Sequence, residues 1–221
     1  QVTIAESDLH ISTERDLRNE AGHSLAMCRR ALDGYIAKHP DFQSALSPLA
    51  IPEDAPEIVR AMGHAAEAAN VGPMAAVAGA IAEFVGRDLL RFAEEVIVEN
   101  GGDIFLRSLH PRIVAIYAGQ SPFSMRVALE VPPSICGLGV CTSAATVGHS
   151  LSFGKADAVV ILASNTALAD AWATSIGNTV KTKDDVAPAL ARAANAEGVI
   201  GAVVIIGDAL GAWGPVQLRK L

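Results

Sequence analysis

The sequence predicts an α+β fold with a mainly antiparallel sheet. Of the 221 residues, 51% are hydrophobic, which is enough to bury a sizeable core. Segments with helical spacing of apolar residues come in two groups, and strand-like segments lie before and after each group. Residues 96–131 contain only strand-like segments joined by short turns, which favours antiparallel pairing over a doubly wound parallel sheet. The order of these segments along the chain predicts two tandem βααβ halves of a single domain, roughly residues 1–110 and 111–221.

The first half begins with alternating apolar and polar side chains over residues 2–11, which predict one strand. Ser12 or Thr13 is the expected N-cap of a long helix that runs to Ile36. Pro40 is expected to end this helix, and a connection that contains several prolines follows it.

Two more helices are predicted before the centre of the chain, over residues 58–69 and 74–92. Asn70 and Gly72 are expected to close the first of them, since both residue types tolerate the left-handed conformation found at helix C-termini. Pro73 suits the first turn of the second helix, where its missing N–H costs no hydrogen bond.

The rest of the chain alternates between strand and helix patterns. Predicted strands cover residues 96–98, 104–106, 113–118, 125–131, 158–162, 200–206 and 216–218, the last two as a pair around a Gly-rich turn. Predicted helices cover residues 166–176 and 185–196. Residues 136–153 are rich in Gly, Ser and Thr and predict a loop.

The charge of the chain excludes some classes of partner. The formal net charge is −7, so nucleic acid is not expected, because neutralising phosphates needs clustered Lys and Arg. The longest weakly polar stretch, residues 71–85, is shorter than the roughly 20 apolar residues that span a bilayer, so no membrane partner is expected.

The cysteines are few and odd in number, which is typical of a reducing compartment. Cys136 and Cys141 lack further ligands at zinc-finger spacing and are expected to be small core residues. No signal-peptide pattern occurs from Gln1 onward, so a cytoplasmic location is predicted; the chain does not begin with Met, and this prediction concerns only the residues given.

A polar turn over residues 99–103, Glu-Asn-Gly-Gly-Asp, lies between two apolar strands. Gly101 and Gly102 permit positive φ and close approach of a ligand to backbone N–H groups, which can hold an anion. The Asp103 carboxylate can accept ribose hydroxyls or an amino group. A plain hairpin turn explains the same residues, since Asn-Gly and Gly-Asp are favoured in such turns.

A second motif lies within residues 139–150, which carry the hydroxyls of Thr142, Ser143 and Thr146 and the imidazole of His149. These groups suit phosphate oxygens, with His149 as an acid–base group. The alternative is a solvated loop whose hydroxyls satisfy nearby backbone groups. There is no Gly-x-Ser-x-Gly sequence that would indicate a hydrolase triad.

A third motif contains Asp170 and Thr174, which lie four residues apart on one face of a predicted helix. A carboxylate and a hydroxyl are hard oxygen ligands, suited to Mg²⁺ that also touches substrate phosphates. The alternative is that Asp170 caps the helix or stabilises its first turn.

These three motifs occur together in an order that resembles the flavin-transferase (ApbE-like) superfamily, once linked with thiamine biosynthesis. The resemblance covers roughly residues 71–178, and residues 2–9 and 71–83 resemble more closely still a shorter, functionally uncharacterised branch. It implies two tandem T-fold-like halves with a tunnel-like site between them. It also implies binding of FAD with Mg²⁺, followed by transfer of FMN to a threonine of an acceptor protein or by hydrolysis of FAD.

The resemblance also implies roles for particular residues. The metal ligands are Asp170 and Thr174, and the residue that activates the acceptor is His149. The nucleotide-binding positions are Asn100, Gly101, Gly102, Asp103, Thr142 and Ser143.

The sequence departs from the superfamily pattern mainly in the half that activates the acceptor. His149 is followed by Ser150 rather than by an Asp-Pro pair, and a Lys-Gly helix start and a later Asp are replaced by residues 72–74 and Ala78. Two hypotheses stay open: an Mg²⁺-dependent enzyme acting on FAD or a related nucleotide, and a non-catalytic flavin- or nucleotide-binding or regulatory protein. A purine or pterin ligand would suit the same polar residues. The Ala-rich helix over residues 74–82 also leaves a homo-oligomer open.

Overall fold

The computed structural model describes residues 1–145 and 153–221. The helices are α1 (Arg18–Ile36), α2 (Asp41–Ser44), α3 (Glu57–Ala69), α4 (Val77–Leu89), α5 (Thr166–Gly177) and α6 (Val186–Ala194), with 3₁₀ turns at Pro73–Ala76 and Lys183–Asp185. The strands are β1 (Val2–Ile4), β2 (Ser7–Thr13), β3 (Val96–Asn100), β4 (Asp103–Ser108), β5 (Arg112–Ala115), β6 (Val127–Val131), β7 (Ser134–Ser143), β8 (Ala158–Ala163), β9 (Val199–Ile206), β10 (Ala209–Trp213) and β11 (Gln217–Lys220).

The predicted α+β fold with a mainly antiparallel sheet is confirmed. Eight strands form one antiparallel sheet in the order β1-β2-β3-β4-β7-β8-β9-β10. In the first half the strand pairs β1-β2 and β3-β4 flank the helices α1 to α4, and in the second half β7-β8 and β9-β10 flank α5 and α6. In the large sheet, each half therefore has two strands before its helices and two strands after them, whereas the predicted βααβ pattern has one before and one after.

The structure has three layers. Helices α4, α5 and α6 pack on one face of the eight-stranded sheet, and a second, three-stranded sheet of order β11-β6-β5 covers part of the other face. Strand β8 is buried on both faces: Val159 and Ile161 contact the helices, while Val160 and Leu162 lie between the two sheets. Burial on both faces explains why β8 is a continuous apolar run rather than an alternating one.

The single strand predicted at the N-terminus is a hairpin. Its two strands, β1 and β2, are joined by a turn at Ala5, whose φ is +51°. Ser12 and Thr13 lie in β2, so the prediction that either caps the first helix is wrong. Helix α1 begins at Arg18 instead, and the backbone N–H of Arg18 donates to Oδ1 of Asp16 at 3.0 Å.

The loop predicted over residues 136–153 is wrong up to Ser143, because these residues belong to the long strand β7. Their small side chains reflect close packing rather than a turn, since a Cβ on Gly139 would lie 2.5 Å from the Cα of Thr166. The predicted final strand pair is also different. Strand β9 pairs with β10, which the sequence pattern did not indicate, and β11 pairs with β6.

Two expectations from composition can be compared with the described residues. Cys141 is buried as expected, whereas Cys136 is exposed and is not a core residue. Within residues 1–145 and 153–221, no single helix is long and apolar enough to cross a membrane. Helix α3 and the segment Pro73–Leu89, bent by 105°, pass that test only as a pair, by length and composition.

Glu95 fixes the connection that leads from the large sheet to the small one. Its carboxylate accepts hydrogen bonds from Ser108 Oγ (2.6 Å), the Leu109 backbone N–H (2.7 Å) and Arg112 Nη2 (2.8 Å). Together these bonds, led by that from Ser108, lower the pKa of Glu95 to about 2. Since β5 begins at Arg112, this carboxylate holds the edge of the three-stranded sheet beside β4.

We expect Glu95→Gln to destabilise the protein at pH 7, because the amide loses the charge that attracts Arg112. The pKa of Glu95 is lower in the folded than in the unfolded state, so its stabilisation is present above about pH 4.5 and is lost as the pH falls towards 2. Urea unfolding at several pH values should therefore show the wild type and the variant converging in acid. A difference in the free energy of unfolding between wild type and variant that stays constant from pH 7 to pH 3 would contradict this role of Glu95.

Candidate functional site

Helix α5 carries Asp170 and Thr174. Its N-cap is Asn165, whose side chain accepts from the backbone N–H of Leu168 at 2.8 Å. Asp170 therefore does not cap its own helix, which was the alternative to a site role. It lies one turn further along and is buried.

Asp170 instead caps the neighbouring helix α4, and Glu83 of α4 in turn caps α5. The Oδ2 atom of Asp170 accepts from the backbone N–H of Gly79 at 2.9 Å, in the first turn of α4. The Oε2 atom of Glu83, on α4, accepts from the backbone N–H of Thr166 at 2.7 Å, at the start of α5. We call this arrangement the reciprocal cap: each helix satisfies free N–H groups at the start of the other.

The reciprocal cap requires a glycine at position 79. A Cβ there would lie 2.5 Å from the carbonyl oxygen of Thr166 and 2.8 Å from the Cβ of Asp170. Both distances are shorter than van der Waals contact, so any side chain would push the two helices apart.

The turn over residues 99–103 is the hairpin turn between β3 and β4. Asn100 pairs with Asp103, and Gly101 and Gly102 have φ of +66° and +102°, which only glycine adopts readily. The Asn100 side chain donates to the carbonyl oxygen of Ala78 at 3.1 Å, which ties the turn to the start of α4.

The end of β7 completes the site. Thr142 and Ser143, predicted in a loop, are strand residues, and their neighbour Cys141 is fully buried. The Cys141 thiol lies 3.4 Å from the Thr166 carbonyl oxygen and also within hydrogen-bonding reach of the Asp103 carboxylate.

A cleft of about 1070 Å³, which we call the main cleft, brings nearly all the predicted site residues together. Its lining includes Asn100, Gly101, Gly102, Asp103, Thr142, Ser143, Asp170 and Thr174. His149, the predicted catalytic residue, lies outside the described residues. The binding roles of these side chains stay predictions, but their grouping is a property of the fold.

A second cleft of about 510 Å³ reaches the same point from the helical side. It is lined by apolar residues that include Leu46, Met74 and Phe153. The two clefts share four residues, namely Ala78, Asp103, Asp170 and Thr174. The carboxylates of Asp103 and Asp170 therefore lie where the two clefts meet.

Burial dominates the electrostatics of this meeting point. It raises the pKa of Asp103 to about 7; the Glu99 charge adds to that effect, and the Cys141 thiol and Thr142 backbone N–H oppose it. Burial, and then the Asp103 charge, raises the pKa of Asp170 well above its ordinary value. Burial, and then the two carboxylates, also raises the pKa of the Cys141 thiol, which disfavours the thiolate form that a nucleophile requires.

The oxygen donors at this point suit a divalent cation whose remaining coordination positions are filled by atoms of a bound ligand. Among the described residues there is no group of three or more His, Cys, Asp or Glu side chains that could hold a metal ion alone. Two buried carboxylates and the Thr174 hydroxyl are nevertheless present, and Oδ1 of Asp103 is buried without a hydrogen-bond partner. Hard oxygen donors in this number leave positions for phosphate oxygens, as Mg²⁺ prefers.

Several residues of the site carried no signal in the sequence. Gly79 and Ala78 act through their backbone groups, and Glu83 acts on a helix that begins more than 80 positions later. Cys141 was expected to be a core residue, and its contact with Asp103 depends on the pairing of β4 with β7.

Comparison with known proteins gives one family and several relatives. The family model described as "AbpE bacteria" matches residues 1–211. The UPF0280 protein of Methanococcus aeolicus is 38% identical over 98% of this chain and 90% of its own length. The UPF0280 protein of Methanosphaerula palustris is 46% identical over 89% of this chain and 81% of its own. Among solved structures, the flavin transferase ApbE from Vibrio cholerae is 16% identical with a TM-score of 0.44, over 92% of this chain and 77% of that one.

We expect Gly79→Ala to lower the free energy of unfolding by about 2 kcal/mol or more, because the new methyl group separates α4 from α5. Gly34→Ala is the matched control. Gly34 also lies in a helix, and nothing lies within 4 Å of its added Cβ, so this change should stabilise by about 0.5–1 kcal/mol. Chemical denaturation measures both, and equal effects would contradict the close contact.

We expect Asp103→Asn to raise the free energy of unfolding of metal-free protein at pH 8 by about 1–3 kcal/mol, because it removes a buried negative charge. The raised pKa of Asp103 means that the folded wild type bears this cost increasingly as the pH rises from about 4 through 7. The advantage of the variant should therefore disappear near pH 4. Glu99→Gln, at an exposed residue of the same cleft, is the control and should stay within about 0.5 kcal/mol of the wild type.

Proposed function

The chain belongs to the AbpE bacteria family, and on this premise we propose that it binds FAD or a related nucleotide together with Mg²⁺ and splits the pyrophosphate. The acceptor of FMN is a hydroxyl of a protein or a water molecule, and AMP leaves. The observation that carries the proposal is the buried pair Asp103 and Asp170 at the meeting point of two clefts. Two like charges are unfavourable there unless a cation joins them.

In this proposal each part of the main cleft has a binding role. Asp103, Asp170 and the Thr174 hydroxyl hold the metal, and the Gly101-Gly102 backbone and the Thr142 and Ser143 hydroxyls bind phosphate or ribose oxygens. Bound Mg²⁺ supplies charge neutralisation at the pyrophosphate and at the departing AMP. The flavin part of the ligand is proposed because the order of the three motifs resembles that of ApbE-like proteins.

The chemical step is a displacement at phosphorus. The acceptor oxygen forms a bond to the FMN phosphorus, and the bridging P–O bond to AMP breaks. The proton of the acceptor hydroxyl passes to His149, a role that we propose from its place in the sequence. The reciprocal cap fixes the side chain of Asp170, and the β4–β7 pairing fixes the position of Asp103. Little reorganisation of these carboxylates is therefore needed when charge develops on the reacting phosphate.

A second candidate function is nucleotide binding without turnover. The observation that favours it is Ala78, which lines both clefts where the ApbE-like pattern has an Asp. An apolar methyl group at this position cannot orient an acceptor hydroxyl. In that case the protein keeps the nucleotide and the metal, and its role is regulatory.

We expect purified protein to release AMP from FAD when Mg²⁺ is present and to stop when EDTA is added. Asp170→Asn should lower this rate by roughly 10²-fold or more while the amide oxygen still accepts from Gly79. Asp54→Asn, at an exposed site outside both clefts, is the control and should match the wild type. Chromatographic quantification of AMP and FMN gives the rates.

Thermal shifts separate the two candidate functions. A rise in melting temperature with FAD and Mg²⁺ but no AMP supports the binding protein, because a ligand of the native state must stabilise it. If neither AMP release nor a metal-dependent shift occurs with FAD, purine nucleotides or pterins, both candidates fail.

A further inference from the structure

Strand β5 is an edge strand that runs along the main cleft. It lies at the end of the three-stranded sheet, and its only ladder among the described residues is with β6. The contiguous residues 111–115, together with Tyr117, line the main cleft. The cleft therefore has the free edge of a strand as one of its walls.

The register identifies which backbone groups of β5 are free. The Ile116 N–H donates to the carbonyl oxygen of Val127 at 3.0 Å, and the same register pairs Val114 with Leu129. Backbone groups alternate in direction along an antiparallel ladder. The N–H and C=O groups of Ile113 and Ala115 consequently point away from β6, towards the cleft.

Pro111 and Arg112 protect only the start of β5, and the edge from Ile113 to Ala115 carries neither a charge nor a proline. Natural edge strands are blunted by charges, prolines or bulges, because a free row of donors and acceptors pairs with other chains. Here the outward positions are Ile113 and Ala115, and Ile113 is 51% exposed. Tyr117, which continues the same alternation, is 54% exposed and also lines the cleft.

The charged residues of the main cleft limit which kind of segment can bind along β5. Among its described lining residues four are acidic, namely Glu6, Glu99, Asp103 and Asp170, and one is basic, Arg112. The Arg112 guanidinium is already paired with Glu95 at 2.8 Å, and Glu6 is paired with Arg29 at 2.6 Å. A segment that lies along β5 therefore meets no unpaired Lys or Arg among the described lining residues, and it is favoured when it carries few acidic side chains.

We propose that β5 binds an extended segment of the acceptor protein by strand addition and so delivers a threonine or serine hydroxyl to the carboxylate pair. This inference rests on the proposed function, because it needs a reaction that takes a protein hydroxyl. Four residues of strand span about 13 Å, which matches a short acceptor segment held by main-chain hydrogen bonds. The exposed side chains of Ile113 and Tyr117 then contact alternate side chains of the segment.

The first test removes one free N–H of β5 and nothing from the β5–β6 ladder. Ala115→Pro does so, since proline is tolerated where the N–H of an edge strand points outward. Ala115→Val keeps the N–H and is the matched control. The substrates are FAD, Mg²⁺ and a library of nonapeptides with threonine at the centre, and transfer of FMN to peptide is measured by mass spectrometry beside AMP release to water.

We expect Ala115→Pro to lower peptide transfer at least tenfold relative to AMP release, and Ala115→Val, which changes only the side chain, to lower that ratio clearly less. An equal loss of both reactions in Ala115→Pro would show that β5 holds the nucleotide, and would overturn strand addition. AMP release by the wild type without transfer to any peptide would also overturn it. Absence of AMP release altogether overturns the proposed function, and this inference with it.

The second test leaves the protein unchanged and does not depend on the folding of a variant. Peptides accepted by the wild type are N-methylated at one position at a time. Strand addition predicts that transfer is lost with methylation at every second position and kept at the positions between, because only alternate N–H groups face β5. Uniform tolerance, or loss at every position, contradicts the proposal.

Discussion

The reciprocal cap between α4 and α5 is the contact on which the site depends. Each helix begins with N–H groups that have no partner within the helix, and each is completed by a carboxylate carried by the other. Glu83 satisfies the start of α5, and Asp170 satisfies the start of α4. The contact joins the first half of the chain to the second on the helical face of the sheet. It leaves room for no side chain at Gly79.

The same contact explains how the site holds its two carboxylates in fixed positions although burying them together is electrostatically unfavourable. Asp170 is held in place by a helix terminus that favours negative charge, but it faces Asp103 in surroundings that disfavour ionisation. A folded protein keeps two such groups only where the surrounding structure fixes them. The fold therefore holds a pair of oxygen donors close together without the help of a ligand.

Sequence patterns predicted the parts of the fold that are local. Helix α3 and the β3–β4 hairpin carry their own turn residues, and their positions agree with the structure. The β1–β2 hairpin was missed because it turns at Ala5, a residue type that gives no turn signal. The motifs selected residues that the main cleft brings together, while the binding roles of these residues stay predictions. The reciprocal cap could not be predicted, because it depends on backbone groups and on contacts distant in sequence.

The meeting of two clefts at one pair of carboxylates has a consequence for access to them. In a pocket with one opening, every molecule that reaches the innermost groups must pass the same entrance. Here the acidic main cleft and the apolar second cleft approach the same carboxylates from opposite faces of the sheet. In the proposed reaction the nucleotide and the acceptor segment both lie in the main cleft, so the second cleft is a separate path to the same carboxylates. Water or a small product can pass along this path while the main cleft stays occupied.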